Sequence, residues 1–227
     1  MNAQTLQELI VSVPPLVLAI TIHEASHGYV ANRLGDPTAK FMGRLTLNPI
    51  KHIDPIGTIL LPLMLKMLGG IIFGYAKPVP INPTNFSNPK KGMALSSAAG
   101  PVTNIILAII SSLILYLIIL PLSSLFQSDA LNVILRPINL MLQVSIQVNI
   151  FLAALNLIPI LPLDGGRVVA GLLPHNLYVV YSKIEPYGMY ILIALIFTGI
   201  AKYFIIPMYF LLKEFVPFYD RIFPPMF

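Results

Sequence analysis

The chain has 227 residues, 56% of them hydrophobic and 10% charged, with a formal net charge of +5 and no cysteine. A soluble domain carries about 25% charged residues, so this composition, with a mean hydropathy of +0.82, excludes a soluble globular protein, and the missing thiols exclude disulfides, iron–sulfur clusters and thiolate zinc sites. The basic residues are scattered through loops between apolar runs, which excludes a nucleic-acid-binding stripe and reads as topology signalling.

The length suits one compact helical unit over residues 1–227 rather than two domains. No cleavable signal peptide is expected, because the N-terminus lacks a basic region and a small-residue cleavage site. The first apolar run covers roughly residues 9–31. If Ser12 caps it, Pro14 and Pro15 fall harmlessly in the first turn; an earlier start would put a kink there. From Pro14 to Arg33 is ~30 Å of helix, one bilayer core, with His23 near mid-span and Gly35 placed to end the helix. Residues 36–54 are polar, with turn residues and short β-like pieces. The run at 55–75 is apolar but broken by Pro62, Lys66 and the Gly69–Gly70 pair.

"FGYAKPVPINPTNFSNPKKG" follows. The prolines in its first part, "FGYAKPVPIN" (residues 73–82), predict an edge strand that could hold an unwound substrate extended by strand addition; a plain loop is the alternative. Further apolar runs cover 94–122, 131–163 and about 187–212. The basic residues Arg33, Lys40, Arg44, Lys51, Lys77, Lys90 and Lys91 precede the run at 94–122, Arg167 and Lys183 follow the run at 131–163, and residues 121–130 hold no Lys or Arg. The positive-inside rule therefore puts residues 33–91 and 164–185 in the cytoplasm, and 121–130 and the N-terminus outside. The run at 55–75 must then enter and leave on one side. The expected fold is an all-α polytopic membrane protein with about four to six membrane helices and a re-entrant or β-like segment after the first helix.

Within the first run, "HEASH" places His23 and His27 one helical turn apart on the same face, able to grip a single ion. Glu24 beside them can reach a water on that ion, the arrangement of a metalloprotease with two His ligands and a glutamate base. The ion lowers the pKa of its water and polarises a carbonyl, while Glu24 takes the proton and passes it to the leaving amine. Polar glue between helices or a proton relay would explain buried histidines, but not a glutamate next to one. Candidates for a third ligand are His52, Asp54, Asp164, His175 and Glu185. His52 and Asp54 lie in a polar loop expected to be solvated, His175 follows a proline in a loop, and Glu185 lies near a helix start. Asp164 sits between an apolar run and a Gly–Gly pair, at the end of its run that faces the same loops as the histidine helix. It completes a two-His, one-carboxylate set with a position open for water. The alternative for Asp164 is a helix N-cap.

"HEASH", "GRLTLNPIKHIDPIGT", "AAGPVTN" and "NLIPILPLDGG" together resemble the site-2 protease family of intramembrane zinc metalloproteases, over roughly residues 15–175. The resemblance implies one Zn2+ held by His23, His27 and Asp164, Glu24 as catalytic base, and a site below the membrane surface toward the cytoplasm. It also favours Asn156 as the donor that stabilises the developing oxyanion; helix–helix hydrogen bonding is the other role open to that amide. No inserted PDZ domain fits, so the chain resembles the minimal branch. The expected substrate is a membrane protein cut in or near a transmembrane helix, in a bacterial or archaeal plasma membrane; the lipid bilayer is the other partner and nucleic acid is not one. Gly100, Pro101 and Asn104 begin the next helix, a segment the resemblance places beside the site; Ser96, Ser97, Ala98, Ala99 and Gly100 are expected to serve close packing rather than direct catalysis, and Arg167 to anchor at the interface. The rivals are a non-hydrolytic metal transporter, which needs further ionisable residues along a path through the bilayer, and an inactive scaffold, which would have lost a ligand or the glutamate.

Overall fold

The computed structural model describes residues 3–52, 54, 77–125 and 129–224. Among the described residues the protein is helical and no strand forms. The broken run at 55–75, and with it the expected re-entrant segment, lies outside the described residues.

Helix α1 (Ala3–Arg33) begins earlier than a Ser12 cap would have it, so Pro14 and Pro15 lie inside the helix. It stops where Gly35 takes a φ of +109°, a conformation that L side chains rarely adopt. The short helix α2 (Thr38–Phe41) follows. Helix α3 (Pro89–Ile114) starts on Asn88, whose side chain accepts from the Lys91 N–H, with Pro89 in the first turn where its missing donor is harmless. It runs on through a π-helical stretch (Leu115–Ile119) into α4 (Leu120–Leu125). Helix α5 (Asp129–Asn156) ends where Pro159 and Pro162 forbid continuation. Then come α6 (Asp164–Leu172), α7 (His175–Ser182), α8 (Glu185–Phe197), α9 (Lys202–Lys213) and α10 (Tyr219–Ile222).

Among the described residues three helical stretches are long and apolar enough to cross a membrane: Ile10–Arg33, Pro89–Leu125 and Leu131–Asn156; a fourth arises if α7 and α8, bent by 62° at their junction, form one span. The last apolar run is not one helix. Gly199, at φ +73°, breaks it between α8 and α9, and the Ala201 N–H turns back to the Leu195 carbonyl.

The three long helices pack on one another, with α6 and α9 set against them. Lipid offers apolar side chains no penalty, so close backbone approach rather than water exclusion holds such helices together. Accordingly the buried face of α3 is built from small residues, Ser96, Ser97, Ala99, Gly100 and Ala108 among them. Farther along, Leu115 and Ile119 join Leu135, Ile146 and Ile150 of α5 and Leu212 of α9 in the apolar core.

The expected edge strand at 77–82 does not form: these residues run irregularly. Pro78 and Pro80 cannot donate, and the donors on either side are already taken. The Val79 N–H goes to Glu24 Oε2 at 2.9 Å and the Asn82 N–H to Asp36 Oδ2 at 2.7 Å. Residues 73–76 of that stretch lie outside the described residues.

Candidate metal centre

The i, i+4 spacing on α1 does what helical geometry requires of it. The imidazoles of His23 and His27 lie 4.6 Å apart, edge to face, with their Nε2 atoms 3.1 Å from each other. Asp164 Oδ2 approaches both, at 3.2 Å from His23 Nε2 and 3.4 Å from His27 Nε2. All three residues are less than 9% exposed. Asp164 is the first residue of α6, whose N-cap position is Leu163, so its carboxylate does not serve as the cap. Its arrival depends on the Gly165–Gly166 pair. A Cβ on Gly165 would run into the Leu157 carbonyl, and one on Gly166 into the backbone of Ile160 and Leu161. The chain from 157 to 161 thus doubles back against the start of α6 at a distance only glycine permits.

Helix α3 fixes the imidazoles from behind. His23 Nδ1 meets Asn104 Oδ1 at 2.5 Å, and His27 Nδ1 meets the Ser96 carbonyl at 2.7 Å. Both partners accept, so each Nδ1 carries a proton, and Nε2 is the nitrogen each ring turns inward. Gly100 makes the approach possible: a Cβ there would stand 2.5 Å from Cε1 of both histidines. Gly100, expected to serve close packing, therefore shapes the site together with Asn104.

Three electron-pair donors thus face one another, and Asp164 Oδ2 is buried without a hydrogen-bond partner. Such a cluster is repulsive unless a cation sits within it. The donor spacings fit one size of ion. A tetrahedron with metal–ligand bonds of about 2.0–2.1 Å has edges of about 3.3–3.4 Å, close to the separations found. Among the described residues this is the one group of His, Cys, Asp or Glu side chains close enough to share a metal.

Glu24 follows His23 on α1, and the Val79 N–H holds its Oε2. Val79 comes this close because of Gly28, where a Cβ would stand 3.0 Å from Val79 Cγ1. The 77–85 segment is pinned at further points. Arg44 donates to the Lys77 and Pro78 carbonyls at 2.7 and 3.3 Å. Asp36, buried just past the end of α1, accepts from the Thr38 N–H and hydroxyl, the Asn82 N–H and the Asn85 amide. Burial alone would raise the pKa of Asp36, but these hydrogen bonds outweigh it and hold the carboxyl below its ordinary value.

The other candidate ligands fall elsewhere. His52, expected to be solvated, is 2% exposed, with Nε2 at 2.9 Å from the Thr46 carbonyl. His175 and Glu185 are exposed at the starts of α7 and α8. Asn156 is the last residue of α5, and its amide donates to the Leu152 carbonyl of its own helix at 2.9 Å.

The model of peptidase family M50 matches residues 13–199. The chain is 38% identical over 193 residues to the Bacillus subtilis (strain 168) protein named "Putative zinc metalloprotease YwhC", an alignment covering 85% of this chain and 83% of the relative. It is 29% identical over 184 residues to "Putative zinc metalloprotease Rip2" of Mycolicibacterium smegmatis, covering 80% of this chain and 64% of that protein. It is also 29% identical over 189 residues to Rip2 of Mycobacterium tuberculosis (strain ATCC 25618 / H37Rv), covering 82% and 64%. No solved structure matches the chain. With the family model matched over most of the length and the HEASH and LDGG motifs brought together in space, the chain belongs to peptidase family M50, the site-2 protease family.

Proposed function

We propose that this membrane metalloprotease hydrolyses peptide bonds within or beside transmembrane segments of other membrane proteins, using one Zn2+ held by His23 Nε2, His27 Nε2 and Asp164 Oδ2, with Glu24 as general base. One observation carries the reading: three inward lone pairs, 3.1–3.4 Å apart, stand at the spacing of a tetrahedral zinc site with one position left over. The names of the relatives, zinc metalloproteases, point the same way.

Bound zinc would supply Lewis acidity and a water acidic enough to attack near neutral pH. The chain's own groups do the rest. The Val79 N–H engages Oε2 of Glu24, leaving Oε1 as the oxygen that receives a proton from the attacking water and returns it to the leaving amine. Asn156 keeps a second amide N–H beyond the one given to Leu152, and we assign it to the oxyanion. His23 sits ~20 Å along the helix from Ile10 and ~15 Å from Arg33, so the reaction takes place inside the bilayer region, where a substrate helix must unwind to enter.

The site would face the cytoplasm. The positive-inside rule places the basic loops there, and contacts such as Lys90 to the Leu173 carbonyl tie the start of α3 to the end of α6 on one side.

The test is zinc content and cleavage of a membrane substrate for wild type and Glu24→Gln in detergent or liposomes. The expected result is equal zinc and lost cleavage. Hydrolysis by Glu24→Gln would remove Glu24 as the base, and zinc absent from both forms would end the site assignment. Zinc held with no cleavage by wild type, across membrane substrates, would favour the transporter or scaffold reading.

A further inference from the structure

We infer that Asn149 is a positioning residue for the metal centre: through Asn104 it dictates which nitrogen of His23 carries the proton, and so keeps Nε2 free for zinc. This rests on His23 being a zinc ligand. The hydrogen bonds of Asn149 go to Asn104 and Ser145, and the residue lies on α5 rather than α1 or α3 and is 1% exposed.

The argument is one of direction. A carboxamide has an accepting end and a donating end, and its neighbours decide which way it points. Asn149 Nδ2 lies 2.8 Å from the Ser145 carbonyl of its own helix, and a backbone carbonyl can only accept. Asn149 Oδ1 must therefore face outward, toward α3. There it receives Asn104 Nδ2 at 2.8 Å. Asn104, with its donor so committed, turns Oδ1 to His23 Nδ1 at 2.5 Å. The ring nitrogen facing that oxygen has to be protonated, and Nε2 is the nitrogen left to offer zinc a lone pair. Reversing either amide would set donor against donor or acceptor against acceptor at a site with no water to compensate, since Asn104 is 0% exposed. The nearby hydroxyl pair of Ser111 and Ser145, 2.9 Å apart, can rotate to donate either way and carries no such direction.

His27 needs no relay, because the Ser96 carbonyl itself accepts from its Nδ1. The two ligands are thus oriented by different devices, one a single backbone oxygen and the other two side-chain amides ending on a backbone oxygen. Only the second can be cut at a distance from the metal.

The experiment uses the full-length protein in detergent and reads zinc affinity by chelator competition, together with the tautomer of His23 by 15N NMR of the histidine-labelled, zinc-free form. Asn149→Leu is expected to lower zinc affinity about 10–100-fold, the range for partners behind a ligand. In that variant Nδ1 of His23 should be protonated only part of the time, where in wild type it always carries a proton. Asn149→Asp, as the neutral acid, donates its O–H to the Ser145 carbonyl and still offers Asn104 an acceptor, and should restore both readouts. Ser111→Ala disturbs the same α3–α5 interface without reversing an amide and should change neither. If the leucine does not fit, Asn149→Ala gives the same reading. Zinc affinity and tautomer unchanged in Asn149→Leu, or equal losses in Ser111→Ala, overturn the relay while leaving the zinc site intact. Wild type without zinc affinity overturns the ligand assignment and the relay together.

Discussion

The two halves of α3 do different work with the same helix. Its first half presents Ser96, Gly100 and Asn104 to the imidazoles, a face of small and polar groups on which a backbone oxygen, an absent Cβ and an amide are each used once. Its second half, from Ala108 and on into Leu115 and Ile119 of the π-helical stretch, meets Ile146, Ile150 and Leu212 in an apolar core. The first half trades packing area for close approach, and the second fills space. Damage to one should therefore read out as lost metal, and damage to the other as lost stability.

The largest effect is expected at Gly100. In Gly100→Ala the new methyl would press on Cε1 of both His23 and His27, so zinc affinity should fall at least about 100-fold and cleavage with it, with helicity kept. Full zinc affinity in this variant would erase the division. In the second half, Ile150→Ala should lower stability by about 2 kcal/mol, roughly the cavity term, because lipid replaces water outside the protein. Denaturation in mixed micelles should detect it, with zinc affinity unchanged; a parallel loss of zinc would show that the halves are coupled. A smaller effect sharpens the boundary around Glu24. Val79→Pro removes the N–H that holds Oε2 and should slow cleavage about tenfold at constant zinc, the worth of a hydrogen bond to a charged group. The smallest effect concerns Asp36. Its depressed pKa means that anchoring of the 77–85 segment is fully present above the ordinary aspartate value of 3.8 and fades as pH falls through the lower folded value. Amide exchange of Asn82 should rise only in that acid range, and in Asp36→Asn it should be raised already at neutral pH.

The sequence made part of this visible, for definite reasons. His23 and His27 were legible because i, i+4 spacing on a helix leaves no choice of face, and Asp164 because a Gly–Gly pair after an apolar run signals a close backbone approach. Gly35 likewise marked the end of α1. Asn104, Asn149 and Ser96 could be noticed as polar residues in apolar runs, but not paired. Asn149 lies 45 positions from Asn104, and Asn104 lies 81 from His23, distances over which no periodicity carries information. His52 was misjudged as solvated because a polar loop was equated with exposure, whereas its ring is covered and bonded to Thr46. The break at Gly199 was missed because hydropathy is uniform on both sides of it. The expected strand at 77–82 failed because its donors answer to Glu24 and Asp36 rather than to a neighbouring strand.

The origin of the third donor has a consequence for biosynthesis. Asp164 trails His27 by 137 residues (164 − 27), so a ribosome releases two imidazoles long before the carboxylate that completes the cage. If these residues hold the ion as proposed, then until α6 docks the nascent protein offers it two of three donors, and firm loading would wait until most of the helices have been inserted. Maturation and activation would then be a single event, which spares the inserting chain a working protease before its substrate path is built.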